Sequence, residues 1–195
     1  MRRVLFCMLA VLMLTGRTAF AQTEEMKLRD ALKTGEIIRL HVIAAGDDDE
    51  NQRIKLCVRD KVLAAWRDAL LRNESADDMM AFLNENRQAL EDAAVLAARE
   101  EGFTGEVSAQ IGVFPFPDRL YGNVLVPAGE YKALRIVLGK GEGKNWWCVL
   151  FPSLCLSLSS PETPMPQDQA PIDTEESFTW WTFDVFRSWP LFTPV

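Results

Sequence analysis

EYKALRIVLGKGEGKNWWCVLF, residues 130–151, is the stretch of this 195-residue chain that decides its fold. Apolar and polar residues alternate over residues 130–138, which is typical of a β-strand with one buried face. Gly139 to Gly143 forms a glycine-rich turn, and residues 146–151 return as a second apolar strand. Two strands joined by a short glycine turn predict a β-hairpin at this point.

Two adjacent tryptophans begin the return strand. Neighbouring residues of a strand point to opposite faces of the sheet, so Trp146 and Trp147 cannot both enter one core. We expect one indole ring to fill the space between the sheet and its helices. The other ring then needs a second cover, either the C-terminal tail or a partner.

Three further strands are predicted upstream of this stretch. Residues 36–44 are rich in β-branched side chains, and residues 107–114 and 121–126 return to a period of two. In the first of these strands the apolar Ile38, Leu40, Val42 and Ala44 share one face, and Ile37, Arg39, His41 and Ile43 share the other.

Two long helices are predicted between the first strand and the later ones. The acidic run from Asp47 to Glu50 suits a helix N-terminus, with Asp47 as the N-cap. Apolar residues at three- and four-residue spacing predict helices from about Asp48 to Leu71, with Arg59 off the apolar stripe, and from about Asp77 to Glu100. This order predicts an α+β fold, a mostly antiparallel sheet with two long helices packed on one face.

The two ends of the chain differ in character from the middle. Residues 1–21 combine Arg2 and Arg3, a short apolar run and Ala19-Phe20-Ala21, which predicts a signal peptide cleaved after Ala21, the alternative being an uncleaved anchor. The remaining chain divides into a polar leader (22–35), a domain (36–156), a Pro-rich linker (157–176) and an aromatic-rich C-terminal tail (177–195). The tail either docks on the domain or contacts a membrane surface or a protein partner.

Charge excludes one class of partner. Without the three arginines of residues 1–21, 18 of the 21 basic residues remain against 28 acidic ones. Nucleic-acid binding requires a basic footprint, so we expect no nucleic-acid partner.

Few residues are available for catalysis or metal binding. The chain has one histidine, His41, which lies in a predicted strand without a nucleophile motif, and no zinc or EF-hand spacing is present. We therefore expect no catalytic residue, no metal site and no cofactor. Removal of the signal leaves an odd number of cysteines, Cys57, Cys148 and Cys155, so either Cys148 and Cys155 are bridged or all three are buried thiols.

Three stretches together resemble the stage II sporulation protein R family. They are IRLHVIA (38–44), IKLCVRDKVL (54–63) and FPDRLYGNVLVPAGEYKALRIVLGKGEGKNWWCVLFPSLC (116–155). The resemblance covers about residues 36–156. Two departures from the family pattern are Ala45-Gly46-Asp47, where Asn-Ser-Asp is usual, and Cys57, where Lys is usual.

The resemblance implies an exported signalling protein of endospore-forming bacteria. Such a protein is secreted across the forespore membrane into the intermembrane space. There it triggers a membrane-embedded aspartic protease that processes the pro-form of an early mother-cell sigma factor. It acts as a ligand and not as an enzyme.

Candidate partner contacts follow from the residues around the glycine turn and the paired tryptophans. They are Tyr121, Lys144, Asn145, Trp146 and Trp147. The alternative function is a cell-envelope hydrolase that acts on peptidoglycan through carboxylates such as Glu130 and Asp118.

Overall fold

The structure is a computed structural model, and it describes residues 22–155. A first helix, α1, covers residues 22–34. The remaining elements follow in the order β1 Ile38–Ile43, α2 Asp49–Leu71, α3 Ala76–Glu85, α4 Arg87–Glu100, β2 Val107–Phe116, β3 Arg119–Tyr121, β4 Val124–Val126, β5 Gly129–Leu138 and β6 Asn145–Phe151. The predicted α+β class is confirmed.

The main sheet has four strands in the order β2-β5-β1-β6. β1 lies between β5 and β6, parallel to β5 and antiparallel to β6, and β2 is antiparallel to β5. The predicted hairpin of residues 130–138 and 146–151 is therefore wrong, although both strands exist. A glycine turn brings two strand ends close together, but it does not prevent a third strand from inserting between them.

The glycine turn instead joins two strands on opposite sides of β1. Gly139 and Gly141 have positive φ, which lets the chain reverse over the end of β1. The Gly143 amide donates to the Ala44 carbonyl at 2.9 Å, which extends the pairing of β1 with β6.

The start of α2 differs from the prediction by one residue. Asp48 is the N-cap, and its side chain accepts a hydrogen bond from the Asn51 amide at 3.0 Å. The predicted cap, Asp47, accepts from the Lys144 amide at 2.6 Å instead. Its carboxylate thus ties the glycine turn to the end of β1.

The second predicted helix is two helices, α3 and α4. Asn86 leaves the helical region at φ −104° and ψ 11°, and its side-chain amide donates to the Phe82 carbonyl at 2.8 Å. An asparagine that bonds its own backbone competes with helix continuation, so the break occurs at this residue.

The strand predicted over residues 121–126 is in fact a small hairpin. β3 and β4 pair antiparallel, with Tyr121 opposite Val124, and Gly122 between them has φ 58°. Its two-residue turn requires a left-handed conformation that glycine adopts without strain.

The core between the sheet and α2, α3 and α4 lies on one face of the sheet. It contains the inward residues of all four strands together with Val58, Met79 and Leu83 from the helices. Arg59, predicted to lie off the apolar stripe, is 5% exposed, and its guanidinium lies 4.7 Å from the centre of the Trp146 ring. A long side chain can place its charged end over a core aromatic ring, which an apolar pattern does not reveal.

A second, smaller cluster lies on the opposite face of the sheet. It joins α1 and the β3–β4 hairpin to the sheet through Leu28, Ala31, Ile37, Tyr121, Val124, Val126, Val149 and Leu154. The residues described above as a polar leader therefore form an amphipathic helix that packs on the domain. No helix within residues 22–155 is long and apolar enough to cross a membrane.

The predicted signal peptide (1–21), Pro-rich linker (157–176) and aromatic-rich tail (177–195) lie outside the described residues.

Candidate partner-binding surface

The second face of the sheet carries polar and aromatic side chains along a single row. The register places Gln110 opposite Arg135, Arg135 opposite His41, and His41 opposite Trp147. Each of these residues alternates with a core residue on its own strand, so all four side chains share the second face.

Arg39 is fully buried on this face, beside the row. Its Nη2 donates to the Tyr121 hydroxyl at 2.7 Å, and its guanidinium lies 4.3 Å from the Phe116 ring centre and 5.2 Å from that of Tyr131. Arg39 forms no salt bridge to a carboxylate within residues 22–155, and its Nη1 has no hydrogen-bond partner there. Burial lowers the pKa of Arg39 from its ordinary value. Aromatic rings thus take the place that an acidic residue would normally occupy.

His41 is buried beside Arg39 and stacks on Trp147. Their ring centres are 3.7 Å apart at an interplanar angle of 22°, and the Phe116 ring packs against both. Burial lowers the pKa of His41 to about 4. The Asn145 side chain raises this pKa in part, and the positive charges of Arg135 and Arg39 lower it. Neither ring nitrogen has a hydrogen-bond partner among the described residues. His41 is therefore a neutral packing residue at pH 7.

The five candidate contact residues differ in accessibility. Trp146 and Tyr121 are each 6% exposed, Trp146 in the helix-side core and Tyr121 beneath Arg39. Asn145 and Trp147 are half-buried on the second face, and Lys144 is exposed next to them. Trp147 is thus the tryptophan that lies outside the main core. Only Lys144, Asn145 and Trp147 are accessible to a partner in this conformation.

A half-buried strip of side chains continues from Trp147 across the sheet. We call it the second-face strip, and it consists of Gln110, Phe114, Arg135, Asn145 and Trp147. The Arg135 guanidinium lies 4.2 Å from the Phe114 ring centre, and its Nε donates to Gln110 Oε1 at 3.1 Å.

Arg119 borders the strip, with its guanidinium 5.9 Å from the Trp147 ring centre. Sequence reasoning missed Arg119, Phe114 and Arg135. The period-two spacing that places Phe114 and Arg135 was visible, but the strand order that brings β2 and β5 to Trp147 was not. Arg119 lies in β3, outside every predicted strand.

Comparison with known proteins identifies the family. The model of the stage II sporulation protein R family matches residues 34–160. Stage II sporulation protein R of Bacillus subtilis (strain 168) is 31% identical over 175 residues, which are 86% of this chain and 77% of that protein. The chain belongs to the stage II sporulation protein R family. No solved structure matches it significantly.

Membership in the sporulation protein R family makes this a protein of sporulation stage II. The matched range includes every described strand and the whole second-face strip. The surface described above therefore lies within the part of the chain that the family shares.

Two cysteines of the family domain are buried in the helix-side core, on and just after β6. Cys148 and Cys155 are joined as a disulfide, with their Cα atoms 5.9 Å apart. Cys57 is a free, half-buried thiol on α2. The bridge links β6, which carries Trp147, to the point where the described chain ends.

The carboxylates named for the alternative hydrolase are placed differently. Glu130 is exposed near the start of β5, and Asp118 is half-buried before β3. Neither takes part in a salt bridge within residues 22–155, and no group of three or more metal-ligating side chains occurs in that range. The geometry gives no specific support to a hydrolase.

Proposed function

We propose that this sporulation protein R family member is a secreted signal that binds and activates a membrane-embedded aspartic protease. The protease then processes the pro-form of an early mother-cell sigma factor. On this proposal the protein is exported across the forespore membrane and acts in the intermembrane space. It contributes binding energy and no chemical step.

The observation that carries the binding role is the accessible part of Trp147 beside Lys144 and Asn145. Aromatic side chains flanked by polar groups are the residues that most often dominate the free energy of a protein–protein interface. Trp147 is also held rigidly, because His41 and Phe116 pack against its ring. A side chain that is ordered before binding loses little conformational entropy when the complex forms.

Activation needs only a difference in affinity. A ligand that binds the active form of the protease more tightly than the inactive form shifts the population toward the active form. A rigid surface suits this role, because it fits one arrangement of the receptor better than another.

The test is co-expression in a non-sporulating host with the candidate protease and its pro-sigma substrate, scored by cleavage of the substrate. We expect cleavage only when the full chain is present, and none when residues 1–21 are deleted. Trp147→Ala and Lys144→Gln are expected to reduce cleavage.

Two matched controls separate binding from folding. Trp66 is likewise half-buried, but it lies on α2 against Phe82, on the other side of the sheet. Trp66→Ala and Lys140→Gln, the latter at an exposed lysine of the same glycine turn, should leave cleavage intact. Equal loss of cleavage in the target and control variants, at equal protein levels, would refute the role of this surface. Normal processing by the protein retained inside the producing compartment would refute the export step.

A further inference from the structure

The second face of the sheet is covered unevenly. At the Arg39 end, α1 and the β3–β4 hairpin form the second apolar cluster, and the side chains there are buried. Farther along, the second-face strip remains half-buried, so each of its side chains keeps part of its surface accessible. The strip therefore leaves part of the sheet's second face uncovered among residues 22–155.

The chemistry of the strip defines what fits it. Phe114 and Trp147 offer aromatic surface, and Arg135, Arg119 and the exposed Lys144 supply positive charge around it. None of these three cations is in a salt bridge within residues 22–155. A complementary segment therefore carries both aromatic rings and carboxylates.

The C-terminal part of the same chain has both features. Residues 173–192 contain four acidic residues and seven aromatic ones, Asp173, Glu175, Glu176, Asp184, Phe178, Trp180, Trp181, Phe183, Phe186, Trp189 and Phe192. The segment has one basic residue, Arg187. So many aromatic side chains in one short segment are unfavourable in water unless they are covered.

The connection is long enough to reach the strip. The described chain ends at Cys155, which is bridged to Cys148, the residue after Trp147. The intervening residues 156–172 span up to about 55 Å when extended. A four-stranded sheet is only about 15 Å wide from its first to its last strand.

We propose that residues 173–192 cover the second-face strip of the same molecule when no partner is bound. Aromatic rings of the segment pack on Phe114 and Trp147, and its carboxylates pair with Arg135, Arg119 and Lys144. One consequence rests on the proposed function: the receptor competes with the segment for this strip, so the segment restrains signalling until the receptor displaces it.

The test is hydroxyl-radical footprinting of the complete mature protein, with oxidation of Trp147 measured by mass spectrometry and Trp66 as the internal reference. In the triple variant Trp180→Ala, Trp181→Ala and Phe183→Ala, we expect oxidation of Trp147 to rise severalfold while that of Trp66 stays unchanged. The control variant Thr179→Ala with Thr182→Ala keeps the aromatic residues and should match the wild type.

A second measurement probes the ionic contacts. A carbodiimide cross-linker should join Lys144 to Asp173, Glu175 or Glu176 within one chain. The double variant Glu175→Lys with Glu176→Lys should raise oxidation of Trp147.

Unchanged oxidation of Trp147 in the aromatic triple variant would overturn the proposal. So would protection of Trp147 that disappears on dilution, because a second copy would then be the occupant, or protection that appears only with receptor or lipid vesicles.

Both measurements use the isolated protein. Footprinting and cross-linking can contradict the intramolecular contact while the co-expression assay still shows cleavage. They can also support the contact while the co-expression assay shows no cleavage. The two proposals are therefore tested separately.

Discussion

Stability between pH 7 and pH 5 should depend on His41, which is the only histidine in the chain. Burial lowers the pKa of His41 to about 4 in the folded protein, whereas an unfolded histidine titrates near about 6.5. The unfolded state therefore binds a proton at a higher pH than the folded state does. As the pH falls from about 6.5 toward 4, protonation favours unfolding, and stability that is present at neutral pH is lost.

The magnitude follows from the two pKa values. Linkage gives a loss of about 2 kcal/mol in the free energy of unfolding between pH 7 and pH 5, and a limit of about 3 kcal/mol below pH 4. The charged groups that face His41 act in the same direction, because Arg135 on β5 and Arg39 on β1 disfavour a second positive charge.

His41→Phe is the matched variant. Phenylalanine keeps the stack on Trp147 and removes the titrating group. Asn145 is the one polar side chain that raises the pKa of His41 within the described residues, and its interaction with the ring is lost in this variant. Urea denaturation followed by far-UV circular dichroism at pH 7, 6 and 5 gives the free energy of unfolding of both proteins. Carboxylates that titrate in this range affect both proteins alike, so the difference between them isolates His41. Parallel pH profiles, or an NMR titration with a pKa near the unfolded value, would refute the reasoning.

Three other changes test separate parts of the fold. Ser75→Ala removes the N-cap of α3, which accepts from the Asp78 amide at 3.0 Å, and should lower stability in urea by about 1 kcal/mol. In the unfolded chain of residues 22–195, iodoacetamide should label one cysteine before reduction and three after it. Loss of the Cys148–Cys155 bridge should cost about 2 kcal/mol; three labels without reduction would contradict the bridge. Gly143→Ala places a Cβ against the backbone of Gly46 and should lower the melting temperature clearly. In Gly46→Ala the new Cβ meets only side chains, at 3.1 Å or more, so this variant should be tolerated. Equal melting temperatures for the two variants would contradict this.

Local signals in the sequence predicted most of the elements. The alternation of residues 36–44 gave β1 with the correct residues on each face, and the period-two stretches gave β2, β5 and β6. The three- and four-residue apolar spacing gave α2 almost to its ends. These patterns reflect which side of a helix or strand is buried. One amino-acid sequence is therefore enough to detect them.

The main errors concern interactions between distant residues, whereas the helix break at Asn86 and the β3–β4 turn at Gly122 are local. The sequence could not show that β1 separates β5 from β6, because strand order depends on contacts across the whole domain. The same limit applies to Asp47, whose carboxylate is taken by the Lys144 amide 97 residues away and not by its own helix. The sequence of residues 22–35 predicts a polar leader because its buried residues, such as Leu28 and Ala31, are few and widely spaced.

For the same reason, the geometry of the candidate surface could be predicted only in part. The opposite orientation of Trp146 and Trp147 follows from strand geometry alone, and it identified two candidate residues of which one is accessible. Tyr121 was expected at the surface, but the buried cation of Arg39 binds its hydroxyl. A buried arginine without an acidic partner is rare enough that no pattern-based argument would anticipate it.

The central position of β1 has a consequence for the order of folding. Ile38 pairs with Lys132, and Arg39 pairs with Val149, so both neighbours of this early strand come from the last part of the domain. Pairing of such remote segments requires large loops to close, which makes it a slow step. A chain delivered N-terminus first through a membrane channel would emerge for most of its length before its sheet can assemble.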